Sequence, residues 1–195
     1  MMRSRLQTEQ RILDAVGSLL LEQGYTAVGI NAIARQAGCD KVLIYRYFGG
    51  FDELLRAFAE TTALWWEVDE IMPESATDCA SIALPEYLQT LLNRYVEALE
   101  ARPLALEIMA WEMSDQNSLT TALARSRSER GMELVKRIRG YYQQPNIDIG
   151  GILGVFGAAI NYLIIRTRNQ SQQYKTEEWW RLQQTIAKLL QAYAD

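Results

Sequence analysis

The sequence predicts an all-α protein of about nine helices. Apolar residues recur every three or four positions along most of the chain, which is the spacing of one helical face. Gly and Pro separate these segments at points where helices commonly end or begin, as at Gly24, Gly38, Pro85 and Pro103. Apolar side chains make up 49% of the 195 residues, enough for a sizeable core and too many for a disordered chain.

The first predicted helix begins at Thr8 and ends at Gly24. The Thr8 hydroxyl is a suitable N-cap, and Glu9 follows in the opening turn, where a negative charge is favourable. Apolar residues between Ile12 and Leu20 then recur at helical spacing and form the buried face.

The stretch over residues 28–48 predicts two short helices joined by a tight turn. Apolar residues recur at helical spacing up to Ala37, and Gly38 follows, a residue that readily adopts the left-handed conformation ending a helix. Asp40 is a strong N-cap for a second helix over about residues 41–47. The short connection is compatible with a helix–turn–helix.

The outward face of this second helix carries charges, hydroxyl groups and flat rings. Lys and Arg can pair with phosphates, Tyr hydroxyls can donate to phosphate oxygens, and rings can pack on thymine methyls or sugars. The alternative is that the two Tyr are core aromatics and that the Lys is a solvated charge. The residues on this face are Lys41, Leu43, Tyr45, Arg46 and Tyr47.

A series of motifs extends through the N-terminal region. It consists of Arg11-Ile12-Leu13-x-Ala15, Gly24-Tyr25, Ile33-Ala34-x-x-Ala37-Gly38, Ile44-Tyr45-x-Tyr47-Phe48 and Leu54. Over about residues 5–65 this series resembles the N-terminal domain of the TetR family of transcriptional regulators. The resemblance implies an all-helical, dimeric DNA-binding protein whose affinity for DNA is switched by a small ligand.

The resemblance also implies a division of labour along the chain. A DNA-binding domain is expected over residues 1–50, with its helix–turn–helix motif over about 28–47, and a ligand-binding and dimerisation domain over 51–195. The residues expected to bind DNA are Gly29, Asn31, Lys41, Leu43, Tyr45, Arg46 and Tyr47.

Four positions depart from the family's pattern. Members often have Thr or Ser at position 29, Ser or Thr at position 40 and Gly at position 42, and commonly Lys at position 51. This chain has Gly29, Asp40, Val42 and Phe51 there. Because the family's Lys lies close to the DNA backbone, Phe51 removes an expected phosphate contact, and Asp40 adds a negative charge. We expect the fold to survive both changes and the strength of DNA binding to be affected.

The remaining elements follow from the same periodicity. Helices are predicted over about residues 51–68, 85–101, 103–113 and 117–142, with a loop over 69–82. In the TetR family the fourth helix links the DNA-binding head to the body, so its tilt sets the spacing of the two heads.

The predicted helix over about residues 147–168 has no charged residue from Ile149 to Ile165. A membrane span is the alternative, but a span needs about 20 strongly apolar residues, and this stretch includes four Gly and one Asn. Its small residues Gly150, Gly154 and Ala158 would let another helix approach closely, either within the subunit or across a dimer.

The last predicted helix begins at Thr176, a suitable N-cap, and runs to about Ala194. In the family the last two helices of each subunit pair into a four-helix dimer bundle. The alternative is a monomer in which the preceding helix is buried. The residues expected at the dimer interface are Gly150, Gly154, Ala158, Tyr162, Leu182, Ile186 and Leu189.

Aromatic and Met residues collect in the body of the chain. The default interpretation is a core; the functional one is a pocket for an apolar or aromatic ligand, which the family has in this region. Glu107 and Glu112 could pair with a cationic ligand, and Arg125, Arg127 and Arg130 with an acidic one, although solvated surfaces are the alternative for both sets. The residues predicted to bind the ligand are Trp65, Trp66, Tyr87, Tyr95, Met109 and Trp111.

Composition excludes several classes of protein. The chain has no His, which removes His general bases and His metal ligands, and its two Cys, Cys39 and Cys79, have no zinc spacing. No phosphate-binding or dinucleotide-binding glycine motif occurs. We therefore expect no enzyme activity, no cofactor and no metal. The first residues lack the apolar core of a signal peptide, so we expect a cytoplasmic protein.

The charge is divided unevenly between the two ends. Residues 1–50 hold six basic and four acidic side chains, and the remainder holds fourteen basic and twenty acidic ones. A mildly basic head on an acidic body fits a protein that presents one end to DNA.

The expected function is that of a homodimeric transcriptional regulator. It would bind a palindromic operator in double-stranded DNA as a repressor and would be released by a small, largely apolar or aromatic ligand. One alternative is a ligand-independent or partner-regulated helix–turn–helix protein. Another is a small helical enzyme with a borrowed head, which the absence of His disfavours.

Overall fold

A computed structural model of the chain describes residues 2–61, 64–72, 82–168 and 172–194. Within these ranges the chain forms ten α-helices and one short 3-10 helix, and no strand. The prediction of an all-α protein is confirmed.

The N-terminal helices build the predicted helix–turn–helix. Gly24, with a φ of 75°, ends the first helix as predicted, because this φ is unfavourable for residues with a Cβ. The elements are α1 (Met2–Gln23), the 3-10 helix (Tyr25–Ala27), α2 (Ile30–Gln36), α3 (Lys41–Phe48) and α4 (Phe51–Thr61).

The start of α1 differs from the prediction. Thr8 does not cap the helix but lies buried inside it, since α1 begins at Met2. Arg5 Nε donates to Glu9 Oε1 at 2.8 Å, one helical turn later. Such pairs support a helix on a solvated segment that has no apolar stripe to reveal it.

The end of α4 was also predicted wrongly. The helix ends at Thr61 instead of near residue 68, and a short helix, α5 (Val68–Ile71), occupies the start of the predicted loop. A capping box begins α5: the backbone N–H of Glu67 donates to Glu70 Oε2 at 3.3 Å. Glu is an uncommon N-cap, so the sequence pattern does not reveal it. The rest of that loop, including Cys79, lies outside the described residues.

The helices of the body follow the predicted order. Pro85 and Pro103 both lie in the first turn of their helices, as predicted. Thr176 does not begin the last helix, which starts four residues earlier. The elements are α6 (Leu84–Glu100), α7 (Pro103–Glu112), α8 (Ser118–Tyr141), α9 (Ile149–Thr167) and α10 (Gln172–Ala194).

The chain packs as two compact units. Unit 1 comprises residues 1–65 and 102–126; in it α1 packs against α2, α4 and α7. Unit 2 comprises residues 66–101 and 127–195; in it α6 packs against α5, α9 and α10. The predicted domain boundary at residue 50 stays a prediction, since packing units and functional domains are different divisions.

Candidate DNA-binding face and ligand cavity

The turn between α2 and α3 is fixed by two local features. Gly38 has a φ of 62°, in the left-handed region that ends α2. Asp40 Oδ1 accepts from the backbone N–H of Val42 at 2.8 Å and so caps α3. The predicted Gly stop and Asp cap are both present, and they set the direction in which α3 leaves the turn.

The inner faces of the two helices are anchored in the core of unit 1. Ile33 on α2 and Ile44 on α3 are fully buried, as is Ile12 on α1. Burying side chains of this size holds α3 against the rest of the unit, so its outer face keeps a fixed geometry.

The outer face of α3 presents the side chains predicted to meet DNA. Lys41, Tyr45 and Arg46 are exposed, whereas Leu43 and Tyr47 are half-buried. At the start of α2, Gly29 is the N-cap residue and Asn31 is exposed. All seven predicted residues therefore lie on α3 or at the N-terminal end of α2.

Two arginines lie over the Tyr47 ring, one of which the sequence did not single out. The guanidinium carbon of Arg46 lies 5.0 Å from the centre of the Tyr47 ring, and that of Arg5 lies 5.2 Å from it. Arg46 Nη2 also donates to the Tyr47 hydroxyl at 3.1 Å. Arg5 reaches this ring because α1 begins early, which the apolar pattern could not show.

Unit 2 contains a cavity of about 960 Å³. It is bounded by α6, the second half of α8 and α9, and its walls are mostly apolar. Such a volume falls in the range of small-molecule sites in proteins. Residues that line it include Trp66, Leu91, Tyr95, Arg127, Leu153 and Asn161.

A hydrogen-bonded pair lies at the wall of this cavity. The Tyr95 hydroxyl donates to Asn161 Oδ1 at 2.6 Å, and the Trp66 ring meets the Tyr95 ring edge to face with centroids 5.7 Å apart. Burial raises the pKa of Tyr95, an effect that the charge of Arg127 only partly opposes. Tyr95 is therefore a neutral hydrogen-bond donor at physiological pH.

Comparison with known proteins identifies the family. Residues 12–58 match the model of the bacterial regulatory proteins of the tetR family. An uncharacterised HTH-type transcriptional regulator of Mycobacterium tuberculosis is 38% identical over 60 residues, which is 30% of this chain and 30% of that protein. The N-terminal region of the chain therefore belongs to the TetR family. Its predicted function as a DNA-binding transcriptional regulator is confirmed.

Two longer matches extend over the body of the chain. The HTH-type transcriptional regulator SrpR of Pseudomonas putida is 22% identical over 178 residues, 86% of this chain and 79% of SrpR. The crystal structure of NalD, the secondary repressor of the MexAB-OprM multidrug efflux pump in Pseudomonas aeruginosa, has the same fold. It matches with a TM-score of 0.60 at 15% identity, covering 95% of this chain and 96% of NalD. Regulators of the family in general bind operator DNA as dimers and are cytoplasmic proteins without enzymatic function.

The residues predicted to bind a ligand in this TetR-family protein fall into three places. Trp66 and Tyr95 line the cavity of unit 2. Tyr87 is buried against Tyr142, with ring centroids 5.3 Å apart. Trp65, Met109 and Trp111 belong to the buried core of unit 1, where Trp111 stacks on Tyr25 at 5.8 Å.

Two cavity residues had weaker signals in the sequence. Arg127 was noted as one of three clustered arginines, and it alone of the three lines the cavity. Asn161 was counted as a polar interruption of the apolar helix. A single Asn in a charge-free stretch is a signal for a specific hydrogen bond, because an amide buried without partners is costly.

The residues predicted for the dimer interface of this TetR-family chain divide between surface and core. Gly154, Ala158, Tyr162 and Leu189 are exposed. Gly150 and Leu182 are half-buried, and Ile186 is buried within unit 2. The three small residues of this set also line the cavity, so they leave space in the subunit where the sequence suggested close helix contact.

The helix α9 is long and apolar enough to cross a membrane, and 22% of its most apolar window is buried. A helix of a soluble protein can pass the same test, so this observation alone carries little weight. The exposed apolar side chains of α9 and α10 form a surface that needs an explanation. Among them Val155 is 68%, Tyr162 58%, Trp180 59% and Leu189 53% exposed.

Proposed function

We propose that this TetR-family regulator is a repressor that leaves its operator when a small, largely apolar or aromatic ligand fills the cavity of unit 2. The cavity is the observation that carries the proposal. An apolar space of about 960 Å³ next to a hydrogen-bonded Tyr95–Asn161 pair has the size and lining of a small-molecule site. Protein interiors are normally close-packed, so side chains that served the fold alone would be expected to fill such a space.

DNA recognition is assigned to the outer face of α3 and the start of α2. Lys41 and Arg46 would pair with phosphates, and Tyr47, whose ring lies close to Arg5 and Arg46, would donate its hydroxyl to a phosphate oxygen of the DNA backbone. Leu43 and Tyr45 would contact base edges in the major groove, with Gly29 and Asn31 at the adjoining backbone.

The dimer is assigned to the exposed apolar surface of α9 and α10. A second copy related by a twofold axis would cover this surface with the same surface of its own. Such a dimer presents two copies of α3 to successive major grooves and therefore reads a palindromic operator. A soluble dimer of this kind works in the cytoplasm, where the DNA is, and needs no membrane.

Release would follow from a shift between two states of the dimer. A ligand that binds one conformation of the body more tightly than the other increases the population of the tighter-binding conformation. The size of this shift is set by the difference between the two affinities. If the favoured state has the wrong separation of the two α3 helices, operator affinity falls.

The test begins with DNA, independently of any ligand. The purified protein is used to select its operator from a random duplex pool, and binding is measured by fluorescence anisotropy. A compound set is then screened for thermal shift and for loss of operator binding. We expect operator-specific binding that compounds occupying the cavity weaken. Specific DNA binding with no compound producing a thermal shift or release would instead support a ligand-independent regulator.

A further inference from the structure

We infer that the cavity of unit 2 binds an aromatic molecule that carries an anionic group, such as an aromatic carboxylate, in preference to a cation or a neutral hydrocarbon. This inference rests on the proposed function and narrows it to one chemical class of ligand. It follows from the charges that line the cavity, from its hydrogen-bond donors and from its shape.

The charged residues that line the cavity are all cations, as far as the described residues show. They are Arg127, Lys136 and Arg139. Arg139 Nη2 lies 3.4 Å from Asp148 Oδ1, and Lys136 Nζ lies 3.9 Å from a Glu133 oxygen. Both pairs involve exposed groups, whose mutual attraction is screened by water. Arg127 is more buried than Lys136 and Arg139. A charge that is less exposed to water acts more strongly on a ligand beside it.

A buried donor at the wall favours a ligand with an acceptor group. Trp66 lines the cavity and is 3% exposed, and its Nε1–H has no hydrogen-bond partner in the part of the chain that the structure describes. Indole nitrogen only donates, so it can be satisfied by an acceptor and not by a cation. A ligand oxygen would remove the cost of leaving this group unpaired.

The polar groups near Trp66 in the cavity wall are also mainly hydrogen-bond donors. Tyr95 donates to Asn161 Oδ1, which engages the amide oxygen and leaves the Asn161 NH₂ group as a further donor. Ser128, which also lines the cavity, can donate or accept. Donors thus outnumber acceptors around this space, which suits a carboxylate or a similar group with several lone pairs.

The shape of the cavity favours flat rings. Leu91, Leu92 and Leu153 contribute apolar walls, and the Trp66 and Tyr95 rings stand edge to face. Gly154 and Gly157 leave their side of the wall open, since a Cβ at either would meet no described atom within 4 Å. A fused two-ring molecule fits such a space, with its ring edges and faces against these aromatics.

Three matched probes test the inference on the full chain: 2-naphthoate, 2-naphthamide and 2-naphthylmethylammonium. Affinities are measured by calorimetry at pH 7 and at low salt. We expect naphthoate to bind most tightly and the ammonium compound most weakly. Arg127→Gln should weaken naphthoate by about tenfold or more, because a charge-assisted hydrogen bond is lost, while naphthamide changes by less than about twofold.

Two control variants separate the site from its surroundings. Arg125→Gln removes a cation of the same helix that does not line the cavity, and Trp65→Phe changes a buried Trp of unit 1. Both should leave naphthoate binding unchanged, whereas Trp66→Phe should weaken naphthoate and naphthamide alike by a few fold. Circular dichroism melts confirm that each variant is folded. If the Arg127→Gln variant is unfolded, Arg127→Lys is used in its place. This variant keeps the charge and should retain most of the affinity for naphthoate.

The outcomes distinguish this inference from the function on which it rests. Tighter binding of the ammonium probe than of naphthoate, or equal losses from Arg127→Gln and Arg125→Gln, overturns the anionic class. If that ammonium probe also releases the operator, ligand-controlled repression still stands. Naphthoate binding that depends on Arg127 but leaves operator affinity unchanged has the opposite meaning: the anionic site is supported and release by it is refuted.

Discussion

The helix–turn–helix of unit 1 and the cavity of unit 2 are proposed to recognise their partners in opposite ways. In the first, Ile33 and Ile44 fill the space between helices, so that α3 presents a rigid convex face. In the second, Gly154 and Gly157 have no side chains to fill the space beside α9, and a concave cavity remains. DNA has one regular shape, which constrains the helix that reads it, whereas small ligands have many. The two sites therefore differ in how they appear in the sequence: the first as dense motifs, the second as scattered residues.

The largest expected effect comes from a change in the proposed dimer surface. Gly154 is exposed, and a Cβ added there meets no described atom within 4 Å, so Gly154→Arg should fit within the subunit. If a second copy covers this surface, the variant should sediment as a folded monomer. Operator affinity should then fall by about a hundredfold or more, because each head binds its half-site alone.

Gly131→Arg is the matched control for that experiment. Gly131 also lines the cavity and also has open space around it, but it lies on α8. It should remain a dimer and keep its operator affinity. A folded Gly154→Arg dimer with normal DNA binding would place the dimer interface elsewhere.

The next largest effect tests the charge on the α3 face. Lys41→Ala should weaken operator binding on the order of tenfold at low salt and lower the slope of log affinity against log salt by about one unit, because one phosphate contact is lost. Lys188→Ala, which removes an exposed Lys from α10, should leave the slope unchanged. An unchanged slope for Lys41→Ala would mean that Lys41 lies away from the DNA backbone.

Base reading should be separable from backbone binding within the same helix. Leu43→Ala should relax the preference at one base position by about 1 kcal/mol, because it removes an apolar contact to a base edge. Tyr47→Phe keeps the ring that Arg5 and Arg46 flank but removes the hydroxyl, so it should weaken all sequences alike. Both profiles are measured by repeating the operator selection with each variant. A uniform loss for Leu43→Ala would contradict its assignment to a base.

A smaller effect concerns the first residue of α4. Phe51 is half-buried, at the position where the resemblance to the TetR family leads us to expect Lys. Phe51→Lys should tighten operator binding by about threefold at low salt, and this gain should disappear at high salt, because counterion release supplies it. Anisotropy titrations at two salt concentrations measure both results. Equal affinities of variant and parent at low salt would show that residue 51 does not approach the phosphates.

The smallest effect contrasts two glycines of α9. Gly157→Ala should raise the free energy of unfolding by about 0.5–1 kcal/mol, because Ala is the better helix former and no described atom is in its way. Gly151→Ala should give no such gain, since its Cβ would lie 2.6 Å from Asp148 Oδ2 and disturb the helix cap. Urea unfolding at one protein concentration compares them. Loss of stability in Gly157→Ala would indicate that a partner fills the space beside it.

Most of the helical order and the outer face of α3 could be predicted from the sequence. The errors concern the start of α1, the end of α4, the short helix α5 and the start of α10. Gly38 and Asp40 act within a few residues of themselves, so their roles in the turn follow from residue type and spacing. The start of α1 and the end of α4 could not be read in this way. An ion pair stabilises the solvated first turns of α1, and a capping box at Glu67 begins α5 soon after α4 has ended. Neither feature leaves an apolar pattern.

The fold class, the resemblance to the TetR family and the side of α3 that faces outward all follow from the residue pattern, because they depend on short-range periodicity, on local caps and on short motifs. The tertiary structure alone decided which of the many buried aromatics border open space. Trp66, Tyr95, Arg127 and Asn161 come together from α6, α8, α9 and the segment before α5 to line one cavity, whereas Trp65 and Trp111 pack into solid core. A cavity is the absence of side chains between elements distant in sequence, so no residue pattern encodes it directly; it exists only once the helices have packed.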